Sequence, residues 1–204
     1  MGKVALHMMK IKSGGVGGIQ SHINREHPPK TNLDIDPSKT NQNYDIVGND
    51  NFRHAIKNTI ECFATETKTV RKDAVVLCNF IVTSDEQTMK SMSPGRQHDF
   101  FEDTFEWFAR RYGAENIPFA VVHMDETTPH LHLGVVPISE ERLLAKSLFD
   151  KKELTAIQTE FTRDVGEKYG LERGIEGSER KHLSETRYKA QKATEKLAEL
   201  DRSI

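Results

Sequence analysis

The chain has little that could staple, anchor or steer it. Only two of its 204 residues are cysteine, Cys62 and Cys78, too few for a disulfide framework, and neither has metal-ligand spacing. Cys62 falls in a helical pattern and Cys78 in a strand pattern, which predicts two small core residues in a reducing, cytoplasmic compartment. No apolar run approaches membrane-spanning length. The first residues, Met1-Gly2-Lys3-Val4-Ala5-Leu6, lack the apolar region and cleavage site of a secretory signal. A surplus of one charge is missing too: 29 Lys and Arg face 31 Asp and Glu, for a net charge of -2. That balance neither announces nor excludes a nucleic-acid partner, because binding depends on a local patch. There are no internal repeats. Apolar residues at 36% and charged residues at 29% describe a globular chain, long enough for one domain with a real core and too short for two comfortable ones.

What the chain does have is a concentration of histidine. Three of its nine histidines, His123, His130 and His132, fall in the segment His123-Met124-Asp125-Glu126-Thr127-Thr128-Pro129-His130-Leu131-His132. An apolar run, residues 117–122, leads in, and another, residues 131–136, leads out, so the segment reads as two buried strands joined by a turn. A strand's side-chain period of two sends His130 and His132 to one face and Leu131 to the other. His123, on the preceding strand, can then lie across from that pair. Three neutral imidazoles converging on one point offer three lone pairs to a divalent cation. A single histidine on an apolar strand is usually a hydrogen-bonded core residue. Three of them beside Asp125 and Glu126 would carry a large desolvation penalty without a ligand.

Periodicity predicts the remaining elements. A first strand covers residues 3–11, followed by a glycine-rich turn, Ser13 to Gly18, and a short helix to about Glu26 that Pro28 and Pro29 stop. Residues 30–48 read as a long irregular loop. A helix over 50–67, a strand over 73–83 and an amphipathic helix over 94–112 follow, the last with Phe101, Phe105, Phe108 and Tyr112 as core. After the histidine strands, a helix over 150–169 repeats Leu154, Ile157, Phe161 and Val165 on one face and ends at Gly170. Residues 184–201 are charged on all sides and read as the start of a longer helix. The order predicts an α+β domain with a mainly antiparallel sheet faced by helices.

A second cluster lies near the N-terminus. His22 and Arg25 stand three residues apart in Gln20-Ser21-His22-Ile23-Asn24-Arg25, a spacing that puts both on one face of a helix. Gly14, Gly15, Gly17 and Gly18 allow close backbone approach to a ligand, and a helix N-terminus favours an anion. The loop matches neither a phosphate-binding loop nor a dinucleotide fingerprint, and alone it reads equally as a flexible turn before a surface helix.

Taken with the histidine strands, this cluster resembles the Mob/Pre plasmid mobilisation and recombination relaxases (MOBV) within the HUH endonucleases. The motifs that carry the resemblance are ordered along the chain. They are the Gly-Gly doublet with His22 and Arg25, Asp36-Pro37-Ser38 with Asn43-Tyr44, Arg71-Lys72-Asp73-Ala74, and the His-x-Asp-Glu-x-x-Pro-His-x-His pattern from His123 to His132. They span about residue 4 to residue 182, and the resemblance implies an HUH relaxase-like fold with a nicking domain over residues 1–183 and the charged helix over 184–204.

The implied activity is site- and strand-specific nicking at a plasmid transfer origin by metal-assisted transesterification. It would leave a histidine–5′-phosphate adduct on His22 and a free 3′ hydroxyl, and so start conjugative mobilisation. His123, His130 and His132 would hold Mn²⁺ or Mg²⁺ against the scissile phosphate; all-histidine ligation by itself also tolerates zinc, nickel or copper. Neutral imidazole is nucleophilic at neutral pH, whereas a tyrosine must first lose a proton of pKa about 10. Glu126 would accept one ring N–H of His22, and Arg25 would clamp the phosphate. Tyr44 is the rival nucleophile, or else a base-stacking platform. For DNA contacts Lys12 and Arg71 come first, with Lys72, Asn43 and Tyr44 behind them; Lys10 and the pair Arg180 and Lys181 are ordinary solvated charges on an equal reading. His7 is a possible neighbour of the site, whereas His27, His54, His98 and His182 read as surface residues. The implied partner is origin DNA, single-stranded or hairpin near the nick, with no membrane segment and with homodimerisation through a region after residue 204 as a further expectation. Two other classes stay open: a metal-dependent phosphoester hydrolase using water, and a non-catalytic DNA-binding module with a structural metal.

Overall fold

Five antiparallel strands, the inner three largely apolar on both faces, organise the domain. A computed structural model describes residues 2–28, 32, 34–66, 69–174 and 194. In chain order the elements are β1 (Gly2–Lys3), β2 (Ala5–Lys12), α1 (Val16–Ile23), β3 (Tyr44–Val47), α2 (Phe52–Phe63), β4 (Val75–Thr83), α3 (Glu86–Ser91), α4 (Pro94–Tyr112), β5 (Phe119–His123) and β6 (His130–Val135). They continue with β7 (Ile138–Ser139), β8 (Arg142–Leu143), α5 (Ala145–Leu148), α6 (Lys151–Asp164) and β9 (Leu171–Glu172). The central sheet runs β2-β4-β6-β5-β3 with every pairing antiparallel. The short parallel pair β1–β9 and the hairpin β7–β8 lie outside it. The architecture is the α+β arrangement that the element order predicts.

The sheet has an apolar core on each face. Cys78, Phe80 and Val82 of β4, with Leu131, Leu133 and Val135 of β6, pack against Phe100, Phe101, Trp107 and Phe108 of α4 and Phe161 of α6. Leu77, Phe119 and Val121 turn the other way, onto Val16 and Ile23 of α1 and Phe52 and Ile56 of α2. By the period of two, His123 follows Phe119 and Val121 onto that second face, and His130 and His132 join it. Gly134 makes the packing there possible. A Cβ at that position would lie 2.6 Å from the Phe119 ring and 2.9 Å from Leu77, and Phe119 is already stacked on Phe52 with ring centroids 4.0 Å apart.

Local signals set the helix ends. Asn51, Asp85, Ser93 and Asp150 each accept a hydrogen bond from a backbone N–H in the first turn of α2, α3, α4 and α6. Pro94 opens α4. Gly170 closes the turn after α6 in the left-handed region, with φ 74°.

Several expectations need correction. The stretch over 30–48 contains a 3₁₀ turn, Pro37–Gln42, and the edge strand β3. Gly17 and Gly18 lie inside α1, which ends at Ile23, before the prolines. Cys78 is buried, but Cys62 is exposed, because α2 turns Phe52, Ile56 and Thr59 inward. The charged helix expected over 184–201 lies outside the described residues. Among the described residues, no helix is long and apolar enough to cross a membrane.

A candidate histidine metal centre

The three strand histidines meet as the alternation requires. His123 pairs with His130 across β5 and β6, and His132 pairs with Val121 and Ile81. Ring centroids are 5.2 Å apart for His123–His130, 4.8 Å for His123–His132 and 4.9 Å for His130–His132. The His22 ring, from the last turn of α1, completes the group at 5.6 Å from His123 and 5.4 Å from His132.

Hydrogen-bond partners set two of the tautomers, since a carbonyl oxygen can only accept. His130 Nδ1–H donates to Thr128 O at 2.9 Å, leaving Nε2 with its lone pair. His123 Nε2–H donates to Ile23 O at 2.9 Å, leaving Nδ1 to accept from Arg25 Nη2 at 3.0 Å. A ring N–H on a backbone carbonyl, with the other nitrogen turned to a shared centre, is the usual support for a metal-ligating histidine. His130 Nε2 and His132 Nε2 lie 3.1 Å apart, close to the separation of two ligands at a right angle on one ion with bonds of about 2.1 Å. Burial, then the neighbouring charge of His130 and Arg25, pushes His123 well down from its ordinary range. His132 is lowered by burial and by the other imidazoles. Both are therefore neutral near pH 7, the state that ligates.

Donor atoms group in two overlapping sets, His22 with His123 and His132, and His123 with Glu126 and His130, each within 4.8 Å. The rings of the predicted trio come together, but neither set holds all three: His22 joins His123 and His132, and Glu126 joins His123 and His130. The chemistry of this donor set fits a divalent cation.

Arg25 bridges the halves of the site. It does not share a helix face with His22: α1 has ended, and Arg25 sits in the left-handed region with φ 50°. That turn aims its guanidinium at the β5–β6 connection. Nε donates to Asp125 Oδ2 at 3.0 Å, and Nη2 donates to Asp125 Oδ1 at 2.7 Å and Glu126 Oε1 at 2.8 Å. Nη1 donates to His22 O at 2.9 Å and lies 3.5 Å from His22 Nδ1. Burial works against charge on Arg25, yet its bonds to Asp125 and Glu126 outweigh it and raise its pKa. Burial likewise opposes ionisation of Asp125, but hydrogen bonds from Arg25 and Thr40 hold the carboxyl below the usual carboxylate range.

Glu126 also accepts from Asn32 at 3.0 Å and faces His123 Nδ1 at 3.8 Å and His130 Nε2 at 4.0 Å. Arg25 joins Glu126 to His22, donating to the Glu126 carboxylate and lying 3.5 Å from His22 Nδ1. Burial would raise Glu126, but the charge of His130 and the hydrogen bond from Arg25 lower it.

The other predicted residues are scattered. Tyr44 pairs with Val122 and packs into the α4-side core, on the face away from the histidines. Its ring stacks on His98 at 5.2 Å, its hydroxyl is buried without a hydrogen-bond partner, and burial pushes its pKa up to about 12. Asn43 is taken up inside: its Oδ1 accepts from Met124 N at 2.7 Å and Asp125 N at 3.2 Å. Lys12 is exposed at the end of β2, and Lys10 Nζ is tied to Phe149 O at 3.2 Å. Arg71 and Lys72 are exposed, with Arg71 3.6 Å from Asp73. His7 lies on β2, paired with Ile81, the residue that pairs with His132.

The sequence reading missed three supporting roles. Asp125, 1% exposed, anchors Arg25 and accepts from Thr40 at 2.9 Å. Asn32 holds Glu126. Asn79, beside His132, had a readable signal: a lone amide within the apolar run Val75-Val76-Leu77-Cys78-Asn79-Phe80-Ile81-Val82.

Fold and site together define an α+β domain whose central strands carry a cation-competent histidine cluster beneath a carboxylate-anchored arginine. The profile of the Mob_Pre family, described as plasmid recombination enzyme, matches residues 1–190, and the chain belongs to that family. A plasmid recombination enzyme type 2 of Staphylococcus aureus is 38% identical over 207 residues, covering 100% of this chain and 49% of the relative. One from Bacillus thuringiensis is 42% identical over 192 residues, covering 93% and 43%. The chain thus spans about half the length of these curated relatives. Among solved structures, the MobM relaxase domain with Mn bound and plasmid pMV158 oriT DNA matches with a TM-score of 0.88 at 35% identity, covering 93% of this chain and 98% of that one. The same domain bound to a 26-nucleotide oriT DNA matches with a TM-score of 0.76 at 33% identity, covering 89% and 97%.

Proposed function

We propose that this domain, residues 1–183, is a relaxase. It nicks one strand at a plasmid transfer origin in the bacterial cytoplasm and keeps the 5′ end as a covalent adduct on His22. One observation carries the reading: the His22 ring lies 5.4–5.6 Å from His132 and His123, with Arg25 fixed beside it. The Mn-bound, oriT-bound state of the similar MobM relaxase domain supports it.

His22 attacks phosphorus through a ring nitrogen; the P–N bond forms as the bond to the 3′ oxygen breaks. The proton lost from the ring's other nitrogen balances the one taken up by the 3′ oxygen. Arg25 holds the His22 carbonyl and ring in place and sets positive charge beside the phosphate, and Asp125 and Glu126 hold Arg25. His123, His130 and His132 would hold a divalent ion, Mn²⁺ or Mg²⁺, which would supply Lewis-acid polarisation of the phosphate. Lys12, Arg71 and Lys72 supply phosphate contacts along the strand. Tyr44 is the weaker nucleophile because its ring is on the far face and its hydroxyl holds its proton tightly.

The test is incubation of the domain with a single-stranded origin oligonucleotide and Mn²⁺. An acid-labile adduct should form, disappear in His22→Ala, persist in Tyr44→Phe and map to the peptide containing His22. Loss in Tyr44→Phe with retention in His22→Ala would overturn the nucleophile, and turnover without any adduct would point to a hydrolase.

A further inference from the structure

Asn79 sits in the middle of β4, opposite Met9 on one side and Gly134 on the other. It is 0% exposed, its Oδ1 has no hydrogen-bond partner, and its Nδ2 lies 3.5 Å from His132 Nδ1. Gly134, which carries no side chain, and His132 lie two apart on β6, so the amide shares their face of the sheet. A buried amide with half its capacity unused costs more than an apolar residue of the same shape would. Its position therefore calls for a partner that needs both ends of the amide.

We propose that Asn79 is a positioning residue that sets the tautomer of His132 and reverses its amide when a divalent cation enters. The inference rests on the cation-binding reading of the histidine cluster. These hydrogen bonds define one arrangement of the pair. With Nδ2 toward His132, Nδ1 of that ring is the acceptor and Nε2 carries the proton. Nε2–H then points at His130 Nε2, 3.1 Å away, whose lone pair is free because His130 Nδ1–H is donated to Thr128 O. A continuous chain of donors runs from Asn79 through His132 and His130 to Thr128.

A cation changes what His132 must offer. Both Nε2 atoms now present lone pairs, so the His132 proton sits on Nδ1, where only an acceptor satisfies it. Asn79 Oδ1 becomes that acceptor once the amide turns over about its Cβ–Cγ bond. One proton leaves Nε2 to solvent and one is taken up at Nδ1, so the ring stays neutral throughout. Asparagine serves both states from one position. Aspartate serves only the cation-bound one, and leucine serves neither.

The test uses ¹⁵N-histidine NMR of the cation-free domain and calorimetric titration with Mn²⁺, and with Cd²⁺ as the diamagnetic probe. Wild type should show His132 protonated at Nε2 when cation-free and at Nδ1 with Cd²⁺. Asn79→Asp should show the Nδ1–H form before any cation is added and bind Mn²⁺ at least as tightly as wild type. Asn79→Leu should bind about 10–100-fold more weakly, while its cation-free thermal midpoint stays at or above wild type. Asn79→Asp alone carries the test if the leucine variant folds poorly. Unchanged tautomer and affinity in both variants would overturn the role of Asn79. Failure of wild type to bind either ion at these histidines would instead overturn the cation reading on which it rests.

Discussion

Arg25 and Asp125 form a two-bond, side-on pair with side chains 9% and 0% exposed. Removing one member of such a pair leaves the other charge buried without compensation. Asp125→Ala should therefore cost about 3–5 kcal/mol, measured by urea unfolding of the cation-free domain; a loss under 1 kcal/mol, the ordinary value for a surface pair, would refute the buried-anchor role. The pair was illegible in the sequence because its members are 100 residues apart. Two neighbouring acids in a turn look alike until the fold buries one fully and leaves the other 11% exposed. His130 and His132 were legible for the opposite reason: their convergence is local, set by strand alternation alone.

At the scale of elements, long periodic runs were readable and short ones were not. β4, β6 and α4 announce themselves through an apolar run, apolar alternation and helical spacing respectively. β3 is four residues, Tyr-Asp-Ile-Val, with a register shift between Asp45 and Val47. Its strand character comes from pairing with β5, far along the chain, and no local pattern encodes that. Gly17 and Gly18 likewise read as a turn, yet Val16 and Ile23 bury one side of α1 and carry both glycines into the helix. Gly134 ties β6 to its neighbours by close approach to Phe119 and Leu77. Neither can retreat easily, since Phe119 is stacked on Phe52. Gly134→Ala should lower stability by about 1–3 kcal/mol through overpacking, read as a fall in the thermal midpoint; an unchanged midpoint would show that the Phe119 ring yields.

For the molecule as a whole, acid should act first on the neutral imidazoles. His123 and His132 have folded pKa values below the ordinary 6.5, so both stay neutral in the fold while they protonate in the unfolded chain. The sign follows: this stability is fully present above about pH 6.5 and is lost as pH falls, for His123 down to about 3. Asp125, also depressed, adds a second loss below the usual carboxylate range. Unfolding free energy of the cation-free domain should drop steadily from pH 7.5 to pH 5, and a flat profile across that interval would refute the neutral buried cluster. The sheet order β2-β4-β6-β5-β3 places strands side by side that are distant in the chain. The loop-closure entropy of those pairings must be met before α1 can reach the β5–β6 turn. The centre is thus a late product of folding. A chain still emerging from the ribosome, with β6 not yet released, holds His22 and Arg25 with no strand histidines to face, and the cluster is complete only in a finished domain.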